Sequence, residues 1–109
     1  MERKPNSVNI LGVTYTIEYV DNPAEVDIFK RKSLWGQVDY WTRTIRVYDG
    51  GRPIEDIWQT LFHEILHAVT DALHIEHFTH DETDDEIDLI ARALTDILFR
   101  NKWLASFDE

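Results

Sequence analysis

The chain of 109 residues contains no cysteine, and it has only 11 lysines and arginines but 21 aspartates and glutamates. The absence of cysteine excludes disulfide bonds, is typical of a reducing cytoplasm, and leaves histidines and carboxylates as ligands for any metal ion. The formal net charge of −10 argues against a surface that binds nucleic-acid phosphates. No run of about 18 apolar residues occurs, so no membrane span is expected. The N-terminus lacks the apolar segment of a signal peptide, so we predict a cytoplasmic protein.

The residues that are present favour one folded domain spanning residues 1–109. Hydrophobic residues make up 43% of the chain and aromatic residues 12%, which is enough for a modest core. Much of the negative charge lies in one segment, HDETDDEIDLI, at residues 80–90. This segment either attracts cations or basic peptides, or serves as a solvated surface. No pattern in the sequence predicts the oligomeric state.

Hydrophobic patterning predicts an α+β architecture, in which a small and mostly antiparallel β-sheet packs on two long helices. The β-rich segments are short and are separated by turn residues, whereas the helical patterns are long and come last. The predicted elements are a strand or bent hairpin over residues 8–20, a short helix beginning at Asn22-Pro23, a hairpin with arms 35–40 and 43–48, and helices from Pro53 to about residue 73 and from about residue 83 to 103.

The first long helix carries the segment HEILH, in which two histidines flank a glutamate. His63 and His67 are four residues apart, so on a helix their rings lie on the same side, one turn from each other, and can bind one metal ion. Glu64 is rotated by about 100° from His63, so it can lie beside the ion and accept a proton from a metal-activated water. This H-E-x-x-H arrangement is typical of zinc-dependent hydrolases. The alternative interpretation is that the histidines are ordinary polar residues on a helix edge.

A catalytic zinc ion usually has a third protein ligand, which must come from further along the chain. His74 lies about two turns beyond His67 on the same helix, too far to reach the same ion. If the buried stripe of the second helix is centred near Ile90 and Leu94, Glu86 lies beside it, whereas Asp88 faces solvent. We therefore predict Glu86 as the third ligand, although an acid near a helix N-terminus is favourable without a metal. The residues expected to face inward are Ile87, Ile90, Ala91, Leu94, Ile97 and Leu98.

The segments QTLFHEILHAV and EIDLIARAL resemble the ImmA/IrrE type of phage and prophage metallopeptidase within the zincin class. In that family a second motif, E-A-[D/N]-x-F-A, follows the HExxH helix, and the resemblance places its glutamate at Glu86. It implies a minimal zincin-like domain with bound Zn²⁺, and it covers about residues 34–98. The chain departs from the family where Ile87 replaces alanine and Ile90 replaces phenylalanine.

Two functions follow as expectations. One is a zinc metallo-endopeptidase that hydrolyses a protein or peptide substrate with Glu64 as general base. The other is a catalytically silent, metal-binding interaction protein in a phage or host setting. A purely structural site needs no base between its ligands, so the presence of Glu64 favours catalysis.

Other polar and aromatic residues have less specific roles. An oxyanion stabiliser is needed, and Tyr40 and Tyr48 carry suitable hydroxyls, although packing on a strand is the alternative for both. Asp71 is expected to be an exposed residue rather than a partner of a ligand histidine. Three further histidines are expected in a polar inter-helix connection, and four tryptophans are expected to fill the core or line its rim. These residues are His74, His77, His80, Trp35, Trp41, Trp58 and Trp103.

Overall fold

A computed structural model describes residues 3–31, 33–75 and 84–105, with only the backbone described at Asp84, Trp103 and Ala105. Within these described residues, four strands precede two α-helices, a segregation typical of an α+β architecture, and short 3-10 helices lie at Pro23–Glu25 and Lys102–Ala105. The strands are β1 (Ser7–Ile10), β2 (Val13–Val20), β3 (Gly36–Asp39) and β4 (Thr44–Tyr48), and the helices are α1 (Ile54–Ala72) and α2 (Asp84–Arg100).

The sheet is mixed, with strand order β1-β2-β4-β3. The β1–β2 and β3–β4 pairs are antiparallel, and β2 runs parallel to β4. The second predicted hairpin is therefore confirmed, and of the two alternatives for residues 8–20 the hairpin is the correct one. The first hairpin turns at Leu11 and Gly12, whose φ angles are 52° and 90°. The second turn is held by Asp39, whose carboxylate accepts hydrogen bonds from the Trp41 amide and the Thr42 hydroxyl at 3.0 and 2.8 Å. Strand β3 is therefore a well-anchored edge strand.

A buried carboxylate ties the connection between β2 and β3 to the edge of the sheet. The side chain of Asp27 has no exposed surface, and it accepts hydrogen bonds from Arg31 Nε at 3.0 Å and Gln37 Nε2 at 3.2 Å. The Arg31 guanidinium holds the pKa of Asp27 well below its usual range. The 3-10 turn that begins this connection is capped by Asn22, but it is shorter than the predicted helix. Because Gln37 lies in β3, these bonds fix one end of the edge strand.

The core lies between the sheet and α1. Apolar side chains of the central strands meet one face of the helix, and α2 covers another part of α1. This two-sided contact explains the wide apolar stripe of the first predicted helix. The helix ends at Ala72, and His74 follows with a φ of 55°. The principal buried residues are Ile17, Ile45, Val47, Trp58, Leu61 and Ala68.

The buried face of α2 differs from the predicted one. Ile87 and Ala91 are buried as expected, but Ile90 is 43% exposed and Ile97 is 47% exposed. Thr95 is buried instead, because its hydroxyl donates to the Ala91 carbonyl at 2.7 Å and so needs no water. The buried stripe is rotated by about 80° from the predicted centre, which changes which acids approach α1.

Neither helix is long and apolar enough to cross a membrane, within the part of the chain that the structure describes.

Candidate metal centre

The histidine pair of α1 has the geometry of two ligands to one ion. His63 Nε2 and His67 Nε2 lie 3.1 Å apart, and the ring centroids are separated by 4.9 Å. For an ion at the usual Zn–N distance of about 2.0–2.1 Å from both nitrogens, the N–Zn–N angle would be about 100°, close to the tetrahedral value. The two histidines therefore fit a divalent ion.

A carboxylate from α2 contacts the opposite nitrogen of the first histidine. Asp88 Oδ1 lies 3.2 Å from His63 Nδ1, and the His63 side chain is only 14% exposed. An acceptor at Nδ1 favours a proton there, which leaves the Nε2 lone pair available for a metal. Asp88 therefore orients His63. Its side chain is 42% exposed, so Asp88 lies at the edge of the contact between the helices and does not point wholly into solvent as predicted. Rotation of the buried stripe of α2 brings this residue toward α1.

Glu64 is buried between α1 and the edge strand, with 7% exposure. It lies against Gly36 in β3, where a methyl group on the glycine would sit 3.1 Å from Glu64 Oε2 and 2.7 Å from Thr60 Cγ2. The absence of a side chain at Gly36 therefore permits the close approach of strand and helix. A carboxylate held in this position beside the histidine pair is suited to proton transfer.

The described residues do not place a third ligand beside the histidines. Glu86 is exposed, and it is not among the described residues that line the cleft over the pair, whereas Asp85 and Asp88 are. Among residues 3–31, 33–75 and 84–105, no three histidine, aspartate or glutamate side chains form a complete metal site. Ligation by Glu86 stays a prediction. His77 and His80 lie outside the described residues.

The cleft beside the histidine pair has a volume of about 980 Å³ and runs along the edge strand. Its walls combine β3 with the exposed side of α1 and the first turns of α2. The described lining residues are Leu34, Trp35, Gly36, Gln37, Val38, Tyr40, Arg52, Asp56, Gln59, Thr60, His63, Glu64, His67, Asp85 and Asp88.

The structure separates the two candidate tyrosines. Tyr40 lines the cleft, and its burial together with the negative charges of Asp71 and Glu64 raises the pKa of the Tyr40 phenol above its usual range. Its hydroxyl therefore remains a hydrogen-bond donor at neutral pH. Tyr48 instead packs against Trp35, with ring centroids 5.7 Å apart.

The remaining predictions have mixed outcomes. Asp71 and His74 are exposed, as expected for both, and Trp58 is buried in the core. Trp35 is 62% exposed on the rim of the cleft, but Trp41 is 94% exposed at the second hairpin turn and lines no core. The side chain of Trp103 lies outside the described residues.

Sequence reasoning missed three residues of the cleft: Gly36, Arg52 and Asp88. Gly36 stands at a strand start, where only the folded structure reveals a helix against it. Arg52 lies in the turn between Asp49-Gly50-Gly51 and α1, and it belongs to no recognisable sequence motif. The position of Asp88 in the acidic segment at the beginning of α2 indicated that it could approach α1. The direction of its side chain, however, depends on the rotation of α2.

No protein-family model, no curated protein and no solved structure matches this chain. The resemblance to the ImmA/IrrE type therefore rests on the motifs alone.

Proposed function

We propose that the protein is a zinc-dependent metallo-endopeptidase. The observation that carries the proposal is the 3.1 Å separation of His63 Nε2 and His67 Nε2, with Asp88 at the far nitrogen of His63. The contact with Asp88 orients the His63 ring with its Nε2 toward His67, which is the arrangement that two ligands of one ion need. The acidic cleft adds a negative potential that attracts a divalent cation.

His63 and His67 would hold the ion, with a carboxylate from the beginning of α2 as the third ligand. Glu86 is the residue predicted by helical phase and by the family resemblance, and Asp85 is a second candidate because it lines the cleft. When bound, zinc supplies Lewis-acid activation of water and of the substrate carbonyl.

Two residues of the chain handle protons in the proposed reaction. The Glu64 carboxylate accepts a proton from the attacking water and then donates it to the leaving amine. Tyr40, which lines the same cleft, donates a hydrogen bond to the carbonyl oxygen as negative charge develops there. Burial of Glu64 against Gly36 keeps its carboxylate in place for both transfers.

The edge strand offers a binding mode for the substrate. Strand β3 pairs with β4 on one side only, and the cleft runs along its other side. An extended peptide can add to such an edge through backbone hydrogen bonds, which suits a protein or peptide substrate. Gly36 at the beginning of β3 would then lie close to both the peptide and Glu64.

Metal content and hydrolysis test the proposal together. We expect wild-type protein to bind one zinc ion and to cleave a denatured protein such as casein. The Glu64→Gln variant should keep the zinc and lose most hydrolysis, since only the base is removed, by about 100-fold or more. The His63→Ala variant should lose both. Equal cleavage by wild type and Glu64→Gln would contradict the proposal.

A second candidate is a catalytically silent, metal-binding interaction protein that acts as a phage or host regulator. The observation that favours it is that the described residues supply two metal ligands but no complete set of three. Zinc bound at one ion per chain without cleavage of any protein substrate would favour this second function.

A further inference from the structure

Arg52 is held rigidly on the wall of the cleft. Its guanidinium donates to the Tyr48 carbonyl at 2.5 Å, to the Asp56 carbonyl at 3.1 Å and to the Thr60 hydroxyl at 2.7 Å. Its central carbon lies 4.3 Å from the centroid of the Trp35 ring. These contacts fix the orientation of the group, so little side-chain entropy remains to be lost when it binds a ligand.

The position of Arg52 relative to the proposed chemistry follows from shared neighbours. Thr60, which accepts from Arg52, precedes Glu64 by one turn of α1, about 5–6 Å along the helix. Thr60 and Glu64 both face Gly36 of the edge strand. Arg52 therefore lies beside the cleft on the N-terminal side of Glu64, about one helical turn away.

Within the part of the chain that the structure describes, no carboxylate accepts a hydrogen bond from Arg52. Its three hydrogen bonds go to neutral oxygens. It is the only lysine or arginine among the described residues that line the cleft. Burial lowers the pKa of the Arg52 guanidinium, since removal from water disfavours a cation. The three hydrogen bonds use both protons of Nη2 and one of Nη1, so the Nε proton and one Nη1 proton of this cation remain for an anion such as a carboxylate.

We propose that Arg52 binds a carboxylate of the peptide substrate, and so selects peptides that carry one about one helical turn from Glu64. The carboxylate is either an acidic side chain or a free C-terminus, since both have the same chemistry. The inference rests on the proposed function, because it takes the cleft as the place where a peptide binds. Trp35 provides an aromatic wall beside the bound group.

Asp56 supplies a built-in control. It lines the same cleft, and its negative charge acts on Arg52 without a hydrogen bond between the two side chains. A substrate carboxylate must therefore compete with the field of Asp56. Removing that charge should strengthen carboxylate binding, whereas removing the charge of Arg52 should abolish the preference.

The test measures peptide binding by NMR, with zinc-supplemented protein and the Arg52 side-chain signal as the reporter. The probes are two matched pairs: acetyl-Ala-Glu-Ala-amide against acetyl-Ala-Gln-Ala-amide, and acetyl-Ala-Ala-Ala with a free C-terminus against its amide. In at least one pair, we expect the acid to bind about tenfold tighter, the gain of one charge-assisted hydrogen bond, and to shift the Arg52 signal. The pair that responds identifies the source of the carboxylate.

Three variants sharpen the result. Arg52→Gln should remove the acid preference, Arg52→Lys should keep part of it, and Asp56→Asn should increase it by about two- to fivefold. Thermal melting shows whether each variant is folded. If Arg52→Gln is not folded, the comparison of acid preference between wild type and Asp56→Asn tests the inference instead. Equal binding of acid and amide by wild type, or no binding of any probe, overturns the inference. Neither result depends on cleavage, so failure of the proposed function is seen separately, as absent hydrolysis.

Discussion

At the scale of single residues, the site is defined by what lies on each nitrogen of His63. Its Nε2 faces His67 and its Nδ1 faces Asp88, so the ring is held between a second imidazole and a carboxylate. Close packing of Glu64 on Gly36 places the base in the same cleft. Two substitutions examine these contacts separately.

Replacement of Asp88 by asparagine should weaken zinc binding. Loss of the negative charge at Nδ1 makes His63 a poorer ligand, and partners of this kind are typically worth about 10- to 100-fold in metal affinity. Titration calorimetry with Zn²⁺ measures the effect. Asp96→Asn is a matched control, because Asp96 lies on the exposed side of the same helix and pairs with Arg100. Equal affinities of the two variants would show that Asp88 does not act on the site.

Replacement of Gly36 by alanine should disturb the base. The added methyl group would lie 2.7 Å from Thr60 Cγ2, so strand and helix must separate, at a cost of about 1–3 kcal/mol in the free energy of unfolding. Chemical denaturation measures this change, and hydrolysis should fall with it. Gly51→Asn serves as the control, since a side chain there meets open space and asparagine tolerates its φ of 67°. An unchanged Gly36→Ala variant would rule out the close approach.

At the scale of secondary-structure elements, the rotation of α2 decides which acids approach α1. Ile87 and Ala91 face α1, and Asp88 lies at the edge of that contact. The hydrophobic pattern of the sequence places both Ile87 and Ile90 on the inward face, with Ile90 nearer its centre, but only Ile87 is buried. The two isoleucines therefore provide a matched pair.

Truncation of Ile87 to alanine should cost about 2–5 kcal/mol in the free energy of unfolding, because the side chain is 1% exposed and leaves a cavity. The same change at Ile90, which is 43% exposed, should cost about 1 kcal/mol or less. Urea denaturation of both variants measures the difference. If Ile90→Ala is the more damaging variant, the helix is rotated as hydrophobic patterning predicts, and Asp88 loses its role.

The sequence was sufficient to predict the second hairpin, the end of α1 to within about one residue and the approach of His63 to His67, because each depends on local pattern or helical spacing. The sequence was not sufficient to predict which face of α2 is buried. Thr95 is buried because its hydroxyl bonds to a backbone carbonyl, and a hydrophobic pattern counts threonine as polar. The parallel contact between β2 and β4 joins segments far apart in the chain, so no local signal predicts it.

At the scale of the whole molecule, α1 packs against the sheet on one side and against α2 on another. The cleft lies where the edge strand β3 approaches the two helices. The chain carries a formal net charge of −10, yet Arg52 places a positive group on the wall of this cleft. Stability of the whole should also depend on the buried carboxylate that anchors the edge strand.

Acid should destabilise the fold through Asp27. The pKa of Asp27 is lowered in the folded state by Arg31, so its stabilising effect is fully present above the unfolded pKa of about 3.9 and is lost as pH falls below that value. Thermal melts between about pH 2 and 7 measure this for wild type and Asp27→Asn. The advantage of wild type should be constant near neutral pH and shrink in acid. An advantage that grows in acid would contradict the assignment.

The most direct measurement of the central claim is X-ray absorption at the zinc edge of protein loaded with one equivalent of Zn²⁺. We expect two imidazole nitrogens at about 2.0–2.1 Å with oxygen ligands completing the shell, and loss of the imidazole signal in the double variant of His63 and His67 to alanine. A spectrum with oxygen scatterers alone, identical in wild type and the double variant, would contradict the metal site.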